Sequence, residues 1–195
     1  MPHIVPIVEG HGEVDAVPVL LRRIATELGA PGLTIGRPIR CPRQLISKDY
    51  ELGRVVDLAA RRVEAPGPVL ILLDADADCP ALLGPELQRR ATEKRPDATI
   101  RVVLAKREYE AWFLAAVESL RERGRVTAGA AVPEDPEEIQ GAKEYLERLM
   151  GRGGVYSETI DQPALSAMFD LRQARTRSPS FDKLWREMER LAQAM

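Results

Sequence analysis

Residues 69–73 read VLILL, and no other stretch restricts the fold as strongly. The run is fenced by Pro66-Gly67-Pro68 before it and by aspartates after it, so it is too short for a helix and reads as a strand. A strand that is apolar at every position has no face to show to water. It must be covered on both sides, as the central strand of a parallel α/β sheet is.

The flanking sequence supplies the covering elements. Residues 3–8 (HIVPIV) predict a first strand, with Pro6 favouring an edge or an irregular position. A helix is expected over residues 15–28, because Val14, Val17, Leu20, Leu21, Ile24 and Leu28 recur at the helical period. Pro18 fits that helix if Asp15 is the N-cap, since proline then falls in the first turn, where its missing N–H is not needed. Residues 33–39 make a weaker strand. Residues 50–63 form a helix with Leu52, Val55, Val56 and Ala59 inward, and residues 81–94 form another. Residues 99–105 (TIRVVLA) form a last strand.

Beyond Glu108 only helices are expected, over residues 110–123, 136–150, 163–174 and 181–194. Gly124 stops the first of these, residues 151–154 (GRGG) form a break, and Ser180 is the expected cap of the last. Trp112 and Trp185 fall on apolar helix stripes and read as core. The division expected is an α/β core over residues 1–107 and a helical C-terminal extension over 108–195, packed on that core. With 45% apolar residues the chain can bury a sizeable core.

Two segments concentrate acid at strand ends. Val8-Glu9-Gly10-His11-Gly12-Glu13 leaves the first strand through two glycines into a helix, and Leu73-Asp74-Ala75-Asp76-Ala77-Asp78 leaves the most buried strand. Alternation along an extended chain puts Asp74, Asp76 and Asp78 on one side. Both segments lie at the carboxyl ends of parallel strands, the edge where open α/β sheets take ligands. If the two strands are neighbours, Glu9 and the aspartates converge. Crowded carboxylates repel unless a cation joins them, and hard oxygen donors with few nitrogen or sulfur alternatives select Mg²⁺ or Mn²⁺. Glu9 is the candidate general base or acid, and Asp74 and Asp76 the metal holders. Glu13, Asp78, Glu108 and Glu110 are further metal-site candidates. Asp78 also suits a turn before Cys79-Pro80, and Glu13 the positive end of a helix.

Other chemistries lack their residues. An EF-hand loop from Asp74 would need Gly and Glu where Cys79 and Pro85 stand. A dinucleotide-binding GxGxxG from Gly10 meets Asp15, and no GxxxxGK[ST] occurs. His11 has no serine or cysteine nucleophile in a familiar spacing and reads as a turn residue beside the site. Cys41 and Cys79, without CxxC spacing, read as free thiols in a reducing cytoplasm. No leader or membrane-length apolar run is expected, since none approaches the roughly 20 residues a membrane helix needs.

The formal net charge of −2 rules out a global basic field. Basic residues cluster at Arg37, Arg40, Arg43 and Lys48, at Arg61 and Arg62, at Arg89, Arg90, Lys94 and Arg95, and at Arg172, Arg175 and Arg177. The later clusters read as solvated helix faces. The first lies on a predicted loop, so Arg40, Arg43 and Lys48 are the phosphate-binding candidates.

Glu9-Gly10-x-x-Glu13 after one strand and Asp74-x-Asp76 after a later one resemble the TOPRIM domain of primases, topoisomerases and overcoming-lysogenization-defect nucleases. The resemblance implies a glutamate acting as general acid/base and an aspartate pair holding Mg²⁺. The glutamate at position 13 is nearer the nuclease branch than the primases. Over nearly its whole length the chain looks like the domain-of-unknown-function 4276 family of small bacterial TOPRIM-like proteins. The segments carrying this are VEGHGEVDAVPVLLRRI, LLDADAD, AKREYEAWFLA (105–115), Gly141-Ala142-Lys143-Glu144 and Ser178-Pro179-Ser180-Phe181. The fold class expected is therefore α/β: a TOPRIM/Rossmann-like parallel sheet of about four strands flanked by helices, with a helical C-terminal extension.

The functional expectation is a Mg²⁺- or Mn²⁺-dependent enzyme acting on phosphodiester bonds of DNA or RNA, nuclease-like, in phage defence or DNA processing. Larger TOPRIM nucleases are fused or paired with an ATPase. This sequence has no ATPase motif, so an ATPase encoded nearby is the expected partner. The alternative is a non-catalytic module that uses the acidic pocket to bind metal, nucleotide or that partner. Near-neutral charge favours the module, and the acidic set favours the enzyme.

Overall fold

The computed structural model describes residues 3–64, 67–151 and 155–193. Within them the chain is an α/β protein built on one four-stranded parallel sheet, in the order β2-β1-β3-β4. The strands are β1 (Val5–Val8), β2 (Ile39–Arg40), β3 (Pro68–Asp74) and β4 (Thr99–Ala105). Val8 pairs with Leu72, and Asp74 with Ala105, so the chain leaves β1 and β3 side by side at the carboxyl edge.

The run at 69–73 is central and covered on both faces, for the reason its sequence predicts. Val69, Ile71 and Leu73 turn toward α3 (Asp49–Ala60) and α4 (Pro80–Lys94). Leu70 and Leu72 turn to the opposite layer, which holds α1 (His11–Glu27) and the later helices. Each face buries aliphatic side chains worth roughly 1.5–3 kcal/mol apiece in transfer free energy. That burial holds a sheet whose edge strand β2 is only two residues long.

β1 is interior, not an edge, despite Pro6. Ile4 N–H donates to the Thr34 carbonyl, Gly36 N–H to the Ile4 carbonyl, and Cys41 N–H to the Val8 carbonyl. Even-numbered residues of β1 therefore face β2, and Pro6 faces the gap between the isolated Ile4–Ile35 bridge and the β2 ladder. No ladder bond is asked of the N–H that proline lacks. The weak strand predicted at 33–39 is likewise reduced to that bridge and the two residues of β2.

Helix α1 starts at His11, directly after the strand, with Gly10 as N-cap. Asp15 is thus inside the helix and Pro18 is interior, which corrects the expected cap. Glu13 explains the early start: its Oε2 accepts from the N–H groups of Glu9 (2.8 Å) and Gly10 (2.9 Å), satisfying donors at the helix mouth. Pro18 removes one internal donor yet is buried against the core, where packing offsets the lost bond.

The helices from Glu110 onward cover the same sheet face as α1. The predicted helix 110–123 is broken at Ala116 into α5 (Glu110–Ala115) and α6 (Val117–Glu122). A 3₁₀ turn (Pro136–Glu138) precedes α7 (Ala142–Met150). Then come α8 (Glu158–Ser166), α9 (Leu171–Arg177) and α10 (Pro179–Gln193). Ser178 takes the capping role expected of Ser180, accepting from Phe181 N–H at 3.1 Å. Of the predicted break at 151–154 only Gly151 is described, and Pro66 and Ala194 also lie outside the described residues.

Trp112 and Phe113 are fully buried in a cluster of edge-on and tilted rings with Tyr109, Phe169 and Phe181. Trp112 Nε1 donates to Ser180 Oγ at 2.8 Å, giving its one polar atom a partner. No described helix is long and apolar enough to cross a membrane.

Candidate functional site

The carboxyl edge of the sheet opens on a pocket of about 220 Å³ lined by Glu9, Gly10, Gly12, Glu13, Asp74, Glu110, Glu158 and Gln162. Glu9 leaves β1, Glu13 sits in the first turn of α1, Asp74 ends β3, Glu110 opens α5, and α8 brings Glu158 and Gln162. Gly12 is what lets α8 come so near. A Cβ there would lie 2.4 Å from the Glu158 carbonyl oxygen and 2.5 Å from Gln162 Oε1, inside any allowed contact.

The acids strain one another. Asp74 accepts Tyr109 N–H at 2.8 Å, but burial and the charges of Glu13, Glu110 and Glu9 hold its proton affinity well above the carboxylate range. Glu13 is pushed up to about 7, chiefly by burial and against the two N–H groups it accepts. Glu110 is also raised by burial, although Tyr156 O–H donates to its Oε1 at 2.6 Å, joined by Gln162 Nε2 at 3.2 Å. Glu9 is raised by burial and by Asp76, and lowered by Arg43. Its Oε2 is buried without a hydrogen-bond partner, as is Gln162 Oε1. Leaving such an atom unmatched costs about 1–3 kcal/mol.

Among the described residues no three His, Cys, Asp or Glu side chains form a ready cation-coordinating group. The reason is visible in their bonds. Glu13, Asp74 and Glu110 are turned to protein donors, and Glu158 Oε1 is held by Lys143 Nζ at 2.5 Å.

The other predicted residues are placed differently. The chain quits the extended form after Asp74, so the alternation expected of Asp74, Asp76 and Asp78 fails. Asp76 is exposed with φ of 51°, its N–H donating to the Arg107 carbonyl. Asp78 lies in the same turn, where its Oδ2 meets Arg43 Nη2 at 2.5 Å. Glu108 is drawn away to α7, accepting Lys143 N–H at 3.0 Å, while Glu110 enters the pocket. Arg43 belongs to a short helix, α2 (Arg43–Ile46), and its Nη1 donates to the Asp74 carbonyl at 2.7 Å. Arg40 reaches the Glu9 carbonyl at 3.4 Å, and Lys48 is exposed at the N-cap of α3.

Glu158 and Gln162 escaped the sequence reading. Their i, i+4 spacing puts them on one helical face, but no local signal says that this face returns to the end of β1. The side chain that Gly12 lacks is the sole trace of the approach.

An open parallel sheet with carboxylates gathered at its carboxyl edge defines the class: an α/β protein with an acidic pocket at the sheet's carboxyl end. The chain belongs to the family described as domain of unknown function (DUF4276), whose model matches residues 8–189. The structure resembles the C-terminal region of the OLD protein of Xanthomonas campestris pv. campestris, phased with iodine. The TM-score is 0.50 at 17% identity, covering 100% of this chain and 97% of that one. The form phased with mercury gives 0.47 at 18% identity, covering 100% and 96%. At such identity the likeness speaks for the fold alone. No curated protein matches the sequence significantly.

Proposed function

We propose that the pocket holds Mg²⁺ or Mn²⁺ and that the protein is a TOPRIM-like enzyme acting on phosphodiester bonds of DNA or RNA, working with an ATPase in phage defence or DNA processing. The observation that carries this reading is the buried, unpartnered Glu9 Oε2 in a pocket shared with four other carboxylates. Lys143 neutralises Glu158, but among the described residues Glu9, Glu13, Asp74 and Glu110 form no ion pair, and hard oxygen donors in such excess suit a hard divalent cation. Glu9, Glu13 and Asp74 would hold the ion, with Glu110 behind them and Asp76 acting by its charge from the rim. A bound ion would neutralise the pocket and stabilise negative charge on the reacting phosphate.

Glu9 has the attributes of a general base. Its raised proton affinity makes it a better acceptor than an ordinary carboxylate, and Oε2 is free to take the proton lost by an attacking water. Arg43, anchored on the Asp74 carbonyl, works against that rise.

Calorimetric titration with Mn²⁺ tests the site. Wild type should bind, and Asp74→Asn, which still accepts Tyr109 N–H, should bind far more weakly. Unchanged binding would remove the ion from this pocket. Cleavage of single-stranded DNA, nicked DNA and RNA, with and without a neighbouring ATPase, tests the chemistry. Glu9→Gln should abolish turnover and keep most ion binding, since Gln retains an oxygen donor but accepts no proton. Ion binding without turnover, even beside the ATPase, would favour the non-catalytic module, a reading that the near-neutral charge supports.

A further inference from the structure

A second cavity, of about 390 Å³, adjoins the acidic pocket across the first turn of α1, and His11, Arg37, Arg40 and Thr159 line it together with Asp15. The two cavities interleave along the chain. Glu9, Gly10, Gly12 and Glu13 face one and His11 and Asp15 the other; Glu158 borders the first and Thr159 the second. Arg40 bridges them by donating to the Glu9 carbonyl.

Arg37 and Arg40 differ from those helix-face arginines that are tied up in ion pairs. Arg61, Arg89, Arg90, Arg95 and Arg175 are matched to nearby carboxylates. Among the described residues neither Arg37 nor Arg40 has an ion-pair partner, although Asp15 shares their cavity. Both are solvent-exposed. Arg43 has committed its guanidinium to Asp74 and Asp78, and Lys48 lies outside the cavity.

Resting on the phosphodiester chemistry proposed above, we infer that the cavity lined by His11, Arg37, Arg40 and Thr159 is a phosphate subsite that grips a polynucleotide backbone beside the acidic pocket. An acidic pocket repels a polyanion before a cation enters it, so affinity must come from a positive surface adjoining it. Two guanidinium groups, an imidazole and a hydroxyl are donors for phosphate oxygens. Among the described residues no Trp, Tyr or Phe lines this cavity, and the large rings Trp112, Phe113 and Phe169 are buried in the core. The grip is therefore on the backbone and indifferent to sequence.

The test is fluorescence anisotropy with a labelled 20-nucleotide single-stranded DNA, and an RNA of the same sequence, in EDTA so that turnover plays no part. Arg37→Ala with Arg40→Ala should weaken binding roughly tenfold or more at low salt. It should also flatten the log–log salt dependence by about 1.4, at about 0.7 for each single-strand phosphate that is no longer neutralised. Lys48→Ala, removing a charge from the same region, should change neither quantity. Both arginines are exposed, so the double variant should melt with wild type. An unaltered salt slope in it would overturn the subsite, as would a wild type that binds neither strand. The Mn²⁺ titration of the acidic pocket stands apart from both results, so loss of the subsite and loss of the metal reading are distinguishable.

Discussion

Replacing Glu13 by glutamine should stabilise the metal-free protein at alkaline pH, and the size of the effect follows from the pocket. The side-chain carbonyl of the new glutamine can still accept from Glu9 and Gly10 N–H, so the helix start is kept and the charge alone is removed. In the fold the carboxyl is raised from 4.5 to about 7. At about 1.4 kcal/mol for each tenfold change in proton affinity, ionised Glu13 disfavours the metal-free fold by on the order of 3 kcal/mol. The folded state binds more protons than the unfolded chain across this range. Stability from Glu13 is therefore complete below pH 4.5 and is lost as pH rises through 7. Urea unfolding in EDTA should find wild type and Glu13→Gln nearly equal at pH 4.5 and the variant firmer at about pH 8. For a chain of this size the difference should be roughly 6–12 °C in melting temperature. Saturating Mn²⁺ should reverse the order, since the ion stabilises only the protein that holds it. Parallel pH profiles for the two proteins would refute the claim that Glu13 is held in an unfavourable charged state.

Trp112→Ala should cost about 3–5 kcal/mol, because it empties the centre of the ring cluster and removes one of the donors to Ser180 Oγ; chemical denaturation measures it. Gly12→Ala should destabilise by about 1–3 kcal/mol through overpacking against α8, and should weaken Mn²⁺ binding by displacing Glu158 and Gln162, read by calorimetry. Arg43→Ala removes the charge that lowers Glu9, so the rising limb of a pH–activity profile should move to higher pH; a limb that moves down, or stays, would exclude Glu9 as the base. Asp76→Ala should weaken ion binding less than Asp74→Asn, since Asp76 is exposed and does not line the pocket, and equal losses would make Asp76 a direct ligand.

Local sequence determined the parts of this protein whose cause is local. The all-apolar run at 69–73 and the stripe Leu52, Val55, Val56, Ala59 each have one way to bury themselves, so the central strand and the helix over it were legible, as was β4 to the residue. Glu9 and Asp74 were legible too, because an acid that ends a buried strand must emerge at the sheet's carboxyl edge. Tertiary structure decided which further carboxylates join them. The turn at Asp76 abandons the extended geometry on which alternation depends, and capping of α7 claims Glu108, leaving Glu110 to enter the pocket. Pro6 argued for an edge or an irregular position, and only the tertiary structure showed which: β1 is interior, with β2 interrupted where the proline faces it. Glu158 and Gln162 arrive from α8, far along the chain, through the gap left at Gly12. Strand burial acts on a few adjacent residues and can be read from their order. The closing of a pocket depends on which distant helix packs against the site, and no short stretch of sequence carries that information.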